Sequence, residues 1–209
     1  MRSLLITTAA ATMLALAAPA RAQDAPADST APPIGPQKGA WSLSFVAPGY
    51  AAGETVEFGV WEMVGARTNL GVTLEVLVGG REEESSGREG TAATTRVGLG
   101  FNARRYLTSA RRVTPYLQGR VFVRGAYQRN ESPGVEDWHR CAQAGVEAAL
   151  GAEWFPVHHF SVSGHTGVRL AASRFRQELT ASDGQKFPLS TTEGNFQTFT
   201  SALAVRIYF

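Results

Sequence analysis

A histidine and a serine two residues apart, in His159-Phe160-Ser161, put a general base and a hydroxyl on one face of an extended strand, the minimum for hydrolytic chemistry. Such a dyad also needs a carboxylate to orient the base. The strand carries none: the next acid is Glu178, expected in a loop, and Asp24, Asp28, Asp137 and Asp183 fall in the leader or in loops. Trp138-His139-Arg140-Cys141 offers one imidazole and one thiol, short of a metal's usual four ligands, so Cys141 reads as a small wall or rim residue. Gly98-x-Gly100 lacks the third glycine and the strand-to-helix setting of a dinucleotide fingerprint. Asn130-Glu131-Ser132 is a glycosylation sequon only in a host that modifies such sites. No catalytic residue, metal ligand or cofactor-binding residue is expected.

The charges that recur with a period of two are more informative. Leu117, Val121, Val123 and Tyr127 share one face of an extended segment, with Gln118, Arg120, Arg124 and Gln128 on the other. Ala142, Ala144, Val146, Ala148, Leu150 and Trp154 oppose Gln143, Glu147 and Glu153, and Phe160, Val162, Val168 and Leu170 oppose Ser161, Ser163, His165 and Arg169. No convincing helix period appears. The polar face collects Glu57, Glu75, Arg96, Arg104, Arg120, Arg124, Glu147, Glu153, His165, Arg169 and Arg206. If it faces a narrow lumen, these charges pair, with Arg120 opposite Glu147 and Arg169 within reach.

Eight strands position these residues, at 39–47, 54–64, 68–79, 94–106, 115–128, 140–155, 159–174 and 195–209. They exceed the five or six residues common in soluble sheets and approach the 9 to 11 that cross a bilayer. Short connections after strands two, four and six alternate with longer hydrophilic ones, 80–93, 129–139 and 175–195. That asymmetry is the layout of a transmembrane β-barrel with short periplasmic turns and longer extracellular loops. Trp41, Trp61, Tyr106, Tyr116, Trp154, Phe160 and Phe209 fall at the periplasmic strand ends, and Tyr127, Trp138, Phe175 and Phe196 at the others, as two aromatic girdles would. Trp61 and Tyr116 point into the lumen by parity. A soluble sandwich or lipocalin-like barrel also alternates, but its apolar face would turn inward.

The N-terminus sets the compartment. Arg2, the apolar run from Leu4 to Ala18 and Ala20-Arg21-Ala22 form a secretory signal peptide cleaved before Gln23, and residues 23–38, rich in proline, form a flexible leader to the barrel at 39–209. The 209 residues carry 20 Lys+Arg and 18 Asp+Glu, and removing Arg2 and Arg21 leaves a neutral mature chain, which gives no argument for nucleic acid. One cysteine excludes an intramolecular disulfide.

Thr114-Pro115-Tyr116-Leu117-Gln118-Gly119, the glycine-alternating Val97-Gly98-Leu99-Gly100-Phe101 and the ending Leu203-Ala204-Val205-Arg206-Ile207-Tyr208-Phe209 resemble the small eight-stranded outer membrane barrels of the OmpA/OmpX type. The resemblance implies an all-β, antiparallel up-and-down barrel. It also implies that Val205, Ile207 and Phe209 form the signal read by the barrel assembly machinery. The His-x-Ser spacing resembles the lipid A deacylase barrels, although here the pair lies at a periplasmic turn.

The expectation is a monomer in the bacterial outer membrane, in contact with its lipids and lipopolysaccharide. Its role would be structural or surface interaction, without catalysis or cofactor. A narrow porin-like channel and a lipid-modifying enzyme are the alternatives. The charged loop Arg81-Glu82-Glu83-Glu84-Ser85-Ser86-Gly87-Arg88-Glu89-Gly90 is solvated or recognises an extracellular ligand.

Overall fold

The computed structural model describes Gly35 and residues 37–46, 56–85, 88–108, 112–132, 135–180, 185–200 and 204–209. The expected signal peptide and most of the leader lie outside the described residues.

The alternating segments form β1 (Trp41–Val46), β2 (Val56–Met63), β3 (Thr68–Ser85), β4 (Arg88–Tyr106), β5 (Val113–Ser132), β6 (Val135–Val157), β7 (Phe160–Thr180), β8 (Lys186–Thr200) and β9 (Ala204–Tyr208). Each of β1 to β7 pairs antiparallel with the next. The ring closes through β9, which lies between β7 and β1, while β8 continues the same stave upward along β7. The result is eight staves. Thr166 pairs with Thr200 and Ser163 with Ala204, so two residues separate these pairs on β7 and three in the sequence of the last stave, and the inward parity changes between β8 and β9.

Paired residues can be followed once around the ring from Ser163 through Ala204, Val46, Glu57, Glu75, Gly98, Arg124 and Gln143. The path returns to β7 at Ser173, ten residues further along. At about 3.3 Å per residue against eight spacings of about 4.8 Å, that stagger tilts the strands by about 41° from the barrel axis.

The two faces answer to different solvents. Leu70, Val72, Leu74, Val97, Leu99, Phe101, Val121, Val123, Leu150, Val168 and Leu170 are exposed, whereas Glu75, Arg104, Arg120, Glu147, Glu153 and Arg206 are buried. A water-soluble barrel has the opposite arrangement, and one whose outer solvent is hydrocarbon has this one. No helix among the described residues is long and apolar enough to cross a membrane, so any crossing is made by strands.

Three expectations need correction. The segments 80–93, 129–139 and 175–195 are largely paired strand: only 86–87, 133–134 and 181–185 separate β3 from β4, β5 from β6 and β7 from β8. β6 has 23 residues, about 57 Å of height at this tilt, against an apolar band of about 25 Å. Above the band the sheet no longer needs an apolar face, so alternation fades while backbone pairing continues. Second, Trp61, Tyr106 and Tyr116 are no girdle, being 3%, 4% and 0% exposed inside the barrel, whereas Trp41, Trp154 and Phe209 do face outward. Third, Asp137 and Glu178 lie in β6 and β7 rather than in loops.

Inward glycines make room for the large lumen groups. A Cβ at Gly71 would strike the Trp61 indole, and one at Gly100 would strike the Arg120 guanidinium. The glycine alternation in β4 is thus a cradle for a neighbouring strand's arginine.

Candidate functional site

The lumen is filled in two layers. In the lower one, at the short-turn end, Glu153 on β6 accepts hydrogen bonds from Arg104 Nη1 (2.6 Å), Tyr106 Oη (2.8 Å), Tyr208 Oη (2.7 Å) and Ser161 Oγ. Arg104 also donates to Gln118 Oε1, at 2.7 and 3.0 Å, and its guanidinium carbon lies 3.7 Å from the Tyr116 ring centre. Arg206 reaches Glu153 only at 3.9 Å and stacks on Trp61. Met63, Tyr106 and Tyr116 pack into an apolar plug in this layer, and Phe155 lies against Tyr208. Parity reveals these inward rings only for strands whose charged residues already mark the lumen side, as it does for Trp61 and Tyr116.

The middle layer balances three arginines against three glutamates. Arg120 donates to Glu57 (2.8 Å) and to Glu75 (2.5 Å), Arg124 donates to Glu75 (2.9 Å), and Arg169 donates to Glu147 (2.6 Å). Arg120 and Glu147 are register partners across β5 and β6, yet their charged atoms are 3.8 Å apart. The barrel's curvature brings Glu57 and Glu75 from β2 and β3 closer to Arg120 than its own strand neighbour. Sequence spacing cannot show such a contact, because it passes across the lumen rather than along the sheet.

Above this floor the lumen widens into a vestibule of about 770 Å³, bordered by Arg96, Arg124, Cys141, Ser173, Phe175 and Glu193 among others. Arg96 does not join the charge network: among the described residues it makes no hydrogen bond or ion pair, and its register partners are Leu77 and Ala126. His165 instead joins the lower layer, its Nδ1 lying 3.3 Å from Tyr116 Oη.

The candidate chemistry of the sequence is separated here. His159 Nδ1 faces the Tyr208 carbonyl at 3.2 Å, while Ser161, two residues on, donates to Glu153. Sequence reasoning missed this carboxylate because it sits on the preceding strand. Ser161 and Glu153 are both wholly buried, so no ester can reach the hydroxyl. An aspartate–histidine pair does exist inside the barrel wall, contrary to expectation: Asp137 Oδ2 and His139 Nε2 are 2.6 Å apart on the inward face of β6. Cys141 follows on that face without a hydrogen-bond partner among the described residues. No group of three or more potential ligands is placed to hold a metal ion among the described residues. The side chains of most of 81–90 lie outside the described residues.

Comparison of the whole fold decides its type. A major outer membrane protein from Thermus thermophilus superposes with a TM-score of 0.58 at 11% identity, over 83% of this chain and 100% of that one. The fold is that of an outer membrane β-barrel. The N-terminal β-barrel domain of Pseudomonas aeruginosa OprF aligns over 82% of this chain and 98% of that one, at 11% identity and a TM-score of 0.40. The outer membrane protein AlkL aligns over 90% and 96%, at 14% identity and a TM-score of 0.33. These two looser superpositions add no weight to the first. No protein-family model matches the sequence, and a search of curated proteins finds no match. In an outer membrane β-barrel the turns after β2, β4 and β6 are periplasmic and the long hairpins extracellular.

Proposed function

We propose that this chain is a monomeric barrel of a bacterial outer membrane, secreted by cleavage after Ala22, with a structural or surface-interaction role and no catalytic activity. The supporting observation is the sealed lumen. The aromatic plug and the Arg104–Glu153 pair close its periplasmic half, and six paired charges fill its middle. A solute would have to break buried ion pairs to pass, at about 3 to 5 kcal/mol for each charge left without its partner. The barrel assembly machinery reads Val205, Ile207 and Phe209, and the wall contacts outer membrane lipids and lipopolysaccharide. The extracellular hairpins carry whatever external ligand the protein has. Planar-bilayer recording tests this reading: the refolded barrel should show no discrete conductance steps, and steady single-channel openings would overturn it.

A narrow water or ion path is the second reading, and one observation favours it. The buried atoms Ser42 Oγ, Asn69 Oδ1 and Nδ2, Ser163 Oγ, and Arg206 Nε and Nη1 have no hydrogen-bond partner among the described residues. Buried polar groups of this kind are ordinarily satisfied by water. Proton or water flux through vesicles carrying the barrel, without larger solute leakage, would support this reading over the first.

A further inference from the structure

The outer wall carries a group of cations that the lumen network does not explain. On β6 the last aliphatic outward residue before the extracellular side is Ala142, followed at the next outward positions by Arg140 and Trp138. On β7 it is Ala172, followed by Arg174 and then Arg176. Arg140 and Arg176 are direct cross-strand partners, and Ala142 is the partner of Arg174, which sets the three guanidinium groups side by side on one face. All three are exposed. Like charges directly opposite one another destabilise a sheet. Among the described residues none of the three has an ion pair. The nearby acid, Glu178, is engaged by Lys186 at 2.7 Å. Cation–π contacts give partial compensation, with Arg140 lying 5.9 Å from the ring centres of both Tyr127 and Trp138, but they bring no negative charge.

The height of the group is as informative as its charge. It begins one outward step beyond the apolar band, about 5 Å along the barrel axis. Tyr127 and Trp138, packed edge to face at 5.6 Å, lie at the same level, where amphipathic rings meet the headgroups. A groove of about 710 Å³ runs past the three arginines and Lys186 on the outside of β6, β7 and β8. A ligand here has its apolar part in the bilayer, against Leu170 and Phe196, which are exposed below the group, and its anionic part at the guanidinium forks. The outward residue of β3 in register with Arg140, through Tyr127 and Thr95, is Val78, which is apolar and 79% exposed.

We propose that Arg140, Arg174 and Arg176 form a binding site for the phosphate groups of an outer-leaflet glycolipid of the lipid A type. The inference rests on the outer membrane reading above and names the lipid contact of the wall.

The test uses the full barrel refolded in detergent and native mass spectrometry with three probes: bisphosphorylated lipid A, the same lipid with both phosphates removed, and phosphatidylglycerol. Wild type should retain lipid A, and the double variant Arg140→Gln/Arg176→Gln should bind it at least tenfold more weakly. Arg112→Gln, which removes a cation from the periplasmic end, should bind as wild type does. Equal binding of the dephosphorylated lipid, or an unchanged affinity in the double variant, would overturn the proposal. Equal retention of phosphatidylglycerol, or displacement by millimolar inorganic phosphate, would reduce the group to a non-selective anion patch and overturn it too. Heat-dependent gel mobility confirms that each variant is folded. Membrane fractionation separates the two levels: a wild-type chain absent from the outer membrane sinks the localisation, while a correctly placed barrel indifferent to lipid A sinks only the site.

Discussion

The guanidinium carbon of Arg206 lies 3.9 Å from the centre of the Trp61 ring, a contact that spans β1 to join the last strand to the second. Arg104 approaches the same indole at 5.3 Å, and the indole Nε1 donates to Ser44 on the intervening strand at 2.8 Å. One aromatic ring therefore ties together the seam at which the barrel closes. Trp61→Phe keeps the π-face and loses one hydrogen bond, so it should cost about 1 kcal/mol. Trp61→Ala should cost about 3 to 5 kcal/mol. Urea unfolding in lipid vesicles measures both, and equal losses would show that the indole does not support Arg206 through its face.

Glu75 should matter more to Arg120 than Glu147 does, despite the register that makes Arg120 and Glu147 neighbours. Glu75→Gln leaves two arginines short of a carboxylate and should cost on the order of 3 to 5 kcal/mol. A double-mutant cycle should give a larger coupling for Arg120 with Glu75 than for Arg120 with Glu147. The reverse order would mean that the cross-lumen contact does not form.

Gly100→Val would drive a side chain into the Arg120 guanidinium, while a Cβ at Gly125, on the outer face, meets nothing within 4 Å. The first change should destabilise by about 1 to 3 kcal/mol. Gly125→Ala should shift the urea midpoint little. Similar midpoints for both would remove the cradle role of Gly100.

Val205 faces outward and Arg206 inward on β9. Val205→Arg should cost roughly 2 to 4 kcal/mol if it reaches the bilayer midplane. Deleting Phe209 should lower the amount assembled in cells while altering the refolded barrel's stability far less. A neutral Val205→Arg would mean that this face does not meet lipid.

The wall was legible in the sequence where one face meets hydrocarbon and the other a filled lumen, because both solvents act on every second residue. Leu117, Val121 and Val123 against Arg120 and Arg124 show this for β5. Legibility stopped at the headgroups: β3, β7 and β8 continue into water, where pairing is maintained by backbone hydrogen bonds that leave no mark on side-chain type. The lumen charges were identifiable as a set, since alternation assigns them to one face. Their partners were not, because Arg120 meets Glu57 and Glu75 through the curvature of a closed ring. Arg96 shared the pattern of the others but lies one layer too high to meet a carboxylate.

The unequal count in the last stave, where two residues separate Ser163 from Thr166 on β7 and three separate Thr200 from Ala204 in the sequence, has a consequence for the gene. Glu193 and Gln197 turn toward the vestibule at odd positions, whereas Ala204, Arg206 and Tyr208 turn inward at even ones. Loss of a single codon between Thr200 and Ala204 would merge the two phases. Two residues would then separate the paired positions on both strands, so the ladder would run on without a bulge, with Arg206 still in the lumen and Phe196 still on the outer face. An in-frame deletion of one amino acid should therefore be tolerated here, whereas a deletion of two would leave one residue against two and move the phase break onto β7.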